Sequence, residues 1–178
     1  HRLRNAGYVV ELTNAGISGD TSGSGLARLE WVLSGFPAPP DIAIVELGAN
    51  DGLRGESPEQ MRDNLDAILH TLLDQGVLVL FCGMVAMANY GPDYAARYNA
   101  VFTGLAEQHD VMYLPFFLEG VAGVPELNQS DGLHPNEAGT RAVVETLYPL
   151  TRSLADKVLD LRNARDDSSG DEPPPARE

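Results

Sequence analysis

One cysteine stands among 178 residues, so no disulfide can form within the chain. Cys82 lies in the apolar run 77–82 and reads as a buried, inert thiol. Basic residues are also scarce. Twelve Lys and Arg against 26 Asp and Glu leave a formal charge of −14. Such a charge argues against nucleic acid and against anionic membrane surfaces as partners. No apolar run approaches the roughly 20 residues that span a bilayer, so no stable membrane insertion is expected. The opening residues, HRLRNAGYVV, lack both an initiating Met and the apolar core of a signal peptide. They leave room for an upstream segment. No internal repeat is visible, and no Gly-Lys loop is present to cradle a phosphate, which sets aside a flavodoxin-like nucleotide binder.

What is present is patterned. Hydrophobic residues make up 43% of a chain of single-domain length. Four short runs rich in β-branched and apolar residues (8–12, 42–47, 77–81 and 111–114) read as strands buried on both faces, as in a parallel sheet. Helical spacing fills the intervals. Residues 24–34 carry Leu26, Leu29, Trp31 and Leu33. From Ser57 a capping box with Pro58 at N1 and Gln60 at N3 opens a helix striped by Leu65, Ile68, Leu69, Leu72 and Leu73, and Gly76 suits its end. Tyr94, Tyr98, Val101, Phe102 and Leu105 share one side of a helix over 93–108. A fourth helix over 136–161 is open to a break near Pro149. Strand and helix in alternation predict a doubly wound α/β domain with right-handed crossovers. The domain is expected over 1–162. Residues 163–178, polar and Pro-rich, read as a disordered acidic tail.

In such sheets function gathers beyond the carboxyl ends of the strands. Three segments expected as loops fall there: NAGISGDTSGSG (14–25), GANDG (48–52) and QSDGLHP (129–135). In the last, Asp131 stands three residues before His134. A carboxylate accepting from Nδ1 would fix the tautomer and leave Nε2 free to move a proton. The competing reading is a surface turn in which Asp131 makes an Asx-turn. In the other two segments, the Asn50 amide and the Gly19 backbone N–H could both donate to one oxygen, as an oxyanion hole does. The competing reading there is a pair of ordinary turns. His70 and His109 read as helix-end residues without metal-ligand company. Asp20 and Asp51 read as residues that pin their loops.

Taken together, NAGISGDTSGSGLARL, VELGANDGLRG and DGLHPNEAG resemble the SGNH (GDSL-type) hydrolases. ANYGPDYAARYNAVF (88–102) and LPFFLEGV (114–121) resemble the thioesterase I, lysophospholipase and arylesterase subgroup of that family. The likeness covers roughly residues 8–155. It implies a three-layer α/β/α sandwich on a flavodoxin-like parallel sheet of order 2-1-3-4-5. It implies cleavage of carboxylic esters and acyl thioesters through an acyl-serine, with no cofactor and no metal. Residue by residue, it makes His134 the general base, Asp131 its orienting carboxylate, and Asn50 and Gly19 the oxyanion donors. It places Met84, Met87 and Tyr90 at the border of an acyl pocket, where ordinary packing is the competing role.

The departure is at the nucleophile. The family carries its serine in a Gly-Asp-Ser-Leu block on the first, central strand, and these 178 residues contain no such block. Ser18, Ser22 and Ser130 do not match its position. The expectation is therefore a sheet without its central strand, a nucleophile outside these residues, and a chain inactive as it stands. The alternative is a non-catalytic binding module that kept the scaffold. The resemblance also implies a periplasmic or secreted location.

Overall fold

The computed structural model describes residues 1–169. Three parallel strands, β1 (Ile42–Glu46), β2 (Leu78–Cys82) and β3 (Met112–Leu114), form one sheet in the order β1-β2-β3. The register pairs Ile42 with Leu78, Glu46 with Cys82, and Cys82 with Leu114. Among the described residues six α-helices accompany the sheet: α1 (Arg2–Asn5), α2 (Ser22–Ser34), α3 (Ala49–Arg54), α4 (Pro58–Asp74), α5 (Pro92–His109) and α6 (Glu137–Ser169).

The layering follows from the period-2 alternation along β2. Val79 and Phe81 point into one cluster with Leu65, Ile68 and Leu69 of α4 and Val101, Phe102 and Leu105 of α5; Leu26, Leu29 and Leu33 of α2 pack against it. Leu80 and Cys82 point the other way, onto Leu154 of α6, with Leu147 and Leu150 beside it. Both faces of the strand are covered, which is why its sequence is apolar throughout. This is the expected three-layer α/β/α arrangement.

Local signals explain the helix ends. Ser57 Oγ accepts from the Gln60 N–H at 3.3 Å, and Pro58 occupies the first turn. The reciprocal half of the capping box is replaced: the Gln60 side chain reaches Asn64 instead, at 3.4 Å. Asn136 Oδ1 accepts from Ala138 and Gly139 N–H at 2.9 and 3.0 Å and opens α6.

Three expectations need correction. Residues 8–12 form no strand; Val9 and Leu12 are fully or largely exposed. Their apolar pattern has nothing to pair with, because among the described residues the outer edge of β1 is unpaired. Helix α6 runs unbroken through Pro149. The hydrogen bond that proline removes, with the clash of its ring, costs about 3 kcal/mol, and Leu147, Leu150 and Leu154 on the sheet offset it. The helix also continues past residue 162 to Ser169, where disorder was expected. No Gly or Pro interrupts 163–169, and extending an existing helix is far easier than starting one. The remainder of that expectation, 170–178, lies outside the described residues.

The free edge of β1 borders an open cavity of about 1840 Å³. Leu29, Val32 and Leu33 of α2 line one side, and Ala155, Val158 and Leu159 of α6 the other. Among the described residues, no helix is long and apolar enough to cross a membrane.

Candidate active site

The three segments singled out above meet this cavity: Gly19, Asn50 and His134 all line it. Each is carried there by a different local device.

The 14–21 segment is a set of tight turns. Asn14 Oδ1 accepts from Gly16 N–H at 3.0 Å, and Ile17 O accepts from Asp20 N–H at 3.2 Å. Gly19 has φ +86°, a conformation costly for any residue with a Cβ. Its carbonyl accepts from Arg54 at 2.8 Å, and the Asp20 carboxylate pairs with Arg28 at 2.7 Å. Thr21 then caps α2 through Ser24 N–H.

The 48–52 segment, expected as a loop, is the start of α3. Gly48 takes φ +107° as its N-cap, which puts Asn50 in the first turn. Asn50 Nδ2 donates to the Asp20 carbonyl at 2.9 Å and so bridges the two segments. An amide NH₂ has two hydrogens, so this bond fixes the plane of the group and leaves a second donor. Asp51 is buried and accepts from Ser22 N–H at 2.8 Å and from Ser22 Oγ; Asn64 in turn donates to Ser22 Oγ at 3.1 Å. Asp20 and Asp51 therefore pin their loops, as expected.

The third segment is a turn folded around one carboxylate. Asp131 Oδ1 accepts from Leu133 N–H at 2.9 Å and from His134 N–H at 3.0 Å, while Oδ2 lies 2.7 Å from His134 Nδ1. The His134 N–H, then the Leu133 N–H, then the His134 ring hold the Asp131 carboxyl down at about 2. The Asx-turn that shapes the loop also brings the carboxylate against the ring, so the turn and the carboxylate–imidazole contact come from the same residue. Around it, His134 O accepts from Gln129 N–H at 2.7 Å, and Asn136 donates to Glu126 O and Asn128 O at 2.8 and 3.1 Å. Asn128 is itself buried and donates to Val121 O and Val124 O. The roles of Asn128 and Asn136 went unread in the sequence. The signal available for Asn136 was an Asn directly before a helical run.

Met84 and Met87 line the same cavity, whereas Tyr90 does not. The Tyr90 hydroxyl donates to Leu53 O at 3.0 Å, and its ring lies so close to Gly55 that a Cβ there would stand 2.6 Å from it. Tyr90 is thus packed on the end of α3. Ser22 is fully buried and committed to Asp51, while Ser18 lines the cavity from the 14–21 turns.

His70 sits exposed beside Asp74, and His109 ends α5, 2.6 Å from Asp66. Among the described residues, no group of His, Cys, Asp and Glu could hold a metal ion. Burial pushes the Glu46 carboxyl up. Burial, and then the charge of Glu46, push the Cys82 thiol up to about 12.

The chain is 40% identical over 153 residues to Esterase TesA of Pseudomonas aeruginosa strain PAO1, covering 86% of this chain and 75% of that protein. It is 43% identical over 125 residues to Thioesterase 1/protease 1/lysophospholipase L1 of Escherichia coli strain K12. That match spans 70% of this chain and 59% of the relative's length. The crystal structure of TesA superposes with a TM-score of 0.80 at 40% identity, over 86% of this chain and 84% of that one. The profile of the GDSL-like Lipase/Acylhydrolase family matches residues 1–142. The chain belongs to the GDSL-like lipase/acylhydrolase family.

Proposed function

We propose that the protein carrying this chain is a serine-type hydrolase of carboxylic esters and acyl thioesters, working through an acyl-serine intermediate. Arylesterase, acyl-CoA thioesterase and lysophospholipase reactions are all of this chemistry. The observation that carries the reading is the contact between Asp131 Oδ2 and His134 Nδ1 at 2.7 Å, on a ring that lines the same cavity as Asn50 and Gly19.

The chemistry follows from protonation. A carboxylate on Nδ1 holds the proton there and leaves Nε2 with a lone pair. Nε2 accepts the serine proton as the serine oxygen bonds to the acyl carbon. The carbonyl π electrons move onto its oxygen, which takes the negative charge. The second N–H of Asn50 and the N–H of Gly19 donate to that oxygen. When the tetrahedral adduct collapses, the C–O or C–S bond breaks, and His134 returns the proton to the leaving alcohol or thiol. Water repeats the sequence on the acyl-serine and releases the carboxylic acid. Met84 and Met87 supply apolar surface for the acyl chain.

None of Ser18, Ser22 and Ser130 matches the family's nucleophile. The position we assign to the attacking serine is on an extended segment lying along the free edge of β1, with its carboxyl end between Gly19 and His134. The cavity beside that edge supports this. The substrate we propose is a small acyl ester or thioester, and the location we propose is the periplasm or outside the cell.

The test is hydrolysis of a p-nitrophenyl ester. His134→Ala in the active protein is expected to lower kcat by at least about 10⁴-fold with far-UV circular dichroism unchanged. The 178-residue chain alone is expected to give no turnover. A His134→Ala variant at wild-type rate would refute the assignment.

A further inference from the structure

Four aromatic residues of the 3-10 turn and α5 stand at four-residue intervals: Tyr90, Tyr94, Tyr98 and Phe102. Their rings form one continuous ladder, with centroids 5.1, 6.0 and 5.4 Å apart. All three hydroxyls point the same way, and each donates to a backbone carbonyl of one segment. Tyr98 donates to Gly48 at 2.9 Å, Tyr90 to Leu53 at 3.0 Å and Tyr94 to Glu56 at 2.9 Å. That segment, 48–56, contains the short helix bearing Asn50.

Tyr98 is the buried one of the three tyrosines, and its acceptor, Gly48 O, lies two residues before Asn50. Gly48 O also accepts the first helical N–H, that of Gly52, at 3.0 Å, so the phenol binds the carbonyl that starts the helix. Ring and backbone touch as well. A Cβ on Gly52 would lie 3.0 Å from the Tyr98 ring, and one on Gly48 would lie 2.9 Å from Phe102. These two glycines let α3 seat directly on the ladder. On its far side, Asp51 is anchored by Ser22 N–H and Oγ. Asn50 is thus held two residues before by a phenol and one residue after by a carboxylate. Burial, then the charge of Asp51, raise the Tyr98 phenol, so it remains a donor at every working pH.

We propose that Tyr98 is a positioning residue for Asn50: its hydroxyl fixes Gly48 O, and thereby the direction in which the Asn50 amide meets the reacting oxygen. The proposal rests on the reading of Asn50 as an oxyanion donor. A donor must be in place before the charge forms, and a shift of about 1 Å can cost on the order of 10²-fold in rate. The outer rungs give an internal control. Tyr94 makes the same kind of bond, but to Glu56, six residues past Asn50 and beyond the C-terminus of α3.

The experiment compares Tyr98→Phe, Tyr94→Phe, Asn50→Ala and the double variant Tyr98→Phe/Asn50→Ala in the hydrolytically active protein, using a p-nitrophenyl ester. Tyr98→Phe keeps the ring and leaves Gly48 O bonded to Gly52, so it should fold. The expected result is a fall in kcat of about 10-fold with KM within about 2-fold, no change in Tyr94→Phe, and less than about 2-fold further loss when Tyr98→Phe is added to Asn50→Ala. Hydrogen exchange should rise over residues 48–56 in Tyr98→Phe and stay unchanged over α4. The proposal fails if Tyr98→Phe retains wild-type kcat while Asn50→Ala loses activity. It also fails if the Tyr98 loss is the same with and without Asn50, because that marks a general structural effect. Wild-type kcat in Asn50→Ala overturns the oxyanion reading itself, and the proposal with it.

Discussion

Replacing Asp131 with Asn tests the reading of the 129–135 turn at a single atom. The substitution is nearly isosteric. Oδ1 accepts the N–H groups of Leu133 and His134, and the amide oxygen of Asn can take over both bonds, so the turn keeps its shape. The change falls on the other side. Where Oδ2 stood 2.7 Å from His134 Nδ1, an NH₂ now donates. Nδ1 must then present a lone pair, the ring proton moves to Nε2, and the nitrogen that should take the serine proton already carries one. The ring is in place but in the wrong tautomer. In a serine protease the equivalent swap lowers kcat by about 10⁴, and about 1.36 kcal/mol per decade puts that near 5.5 kcal/mol of lost transition-state stabilisation.

The assay is kcat for a p-nitrophenyl ester as a function of pH, in the active protein, with a thermal melt on the same samples. Asp131→Asn should lose about 10³- to 10⁴-fold in kcat with little change in Tm, since this turn is exposed. The pH profile carries its own signature. The Asp131 carboxyl sits at about 2 in the folded protein, below its ordinary value near 3.8. Its contribution to stability is therefore complete above the ordinary value and is lost as pH falls through about 2. No acid limb between pH 3 and 6 should come from Asp131, and any limb in that window belongs to another group. Asp131→Asn within about threefold of wild-type kcat would refute the tautomer argument, given that a working base needs Nε2 unprotonated.

Two further outcomes follow from buried groups. Asp51→Ala removes the acceptor of Ser22 N–H and Oγ in a fully buried site, and leaving those donors unsatisfied should destabilise the fold by about 1–3 kcal/mol each; an unchanged denaturant midpoint would contradict this. Cys82, with no exposed surface and its thiol at about 12, should resist a thiol reagent at pH 8 until the protein unfolds. Because its folded value lies above the unfolded one, it should also lower stability as pH rises above about 9, which a melt series from pH 7 to 11 would read.

The parts legible in the sequence are those where one local rule decides. The 77–81 run was readable as a doubly covered strand because every residue in it is apolar, and it lies between α6 and the α4–α5 layer. Ser57 and Pro58 announced the start of α4. Asp131 and His134 were readable because three residues of separation in a turn are enough to bring carboxylate and ring together. The 48–52 segment was misread as loop for a specific reason. Its glycines look like turn residues, but here they serve contact: Gly48 and Gly52 give up side chains so that α3 can sit on the Tyr98 and Phe102 rings. That is a tertiary cause, invisible in a window of five residues. The aromatic spacing from Tyr94 to Phe102 was visible as a helix face, but its hydroxyls and their acceptors were not, since the acceptors lie more than 35 residues away in the chain.

Residues 8–12 carry the opposite lesson. Their composition is that of a strand, yet Val9 and Leu12 stand in solvent. β-propensity measures how well a side chain fits a pleated, half-buried surface, so it has no force without a neighbouring strand to supply that surface. The same gap leaves Ile44 of β1 partly exposed beside the cavity, although Ile42 on the same face is packed. Strand pattern at 8–12, an unpaired edge at β1 among the described residues and an apolar cavity between α2 and α6 all fit the position proposed above for the attacking serine. A single extended segment along β1 would pair the edge, fill the cavity and give residues 8–12 a surface to join. Its carboxyl end, parallel to Glu46 in β1, would point at the three loops that hold Gly19, Asn50 and His134.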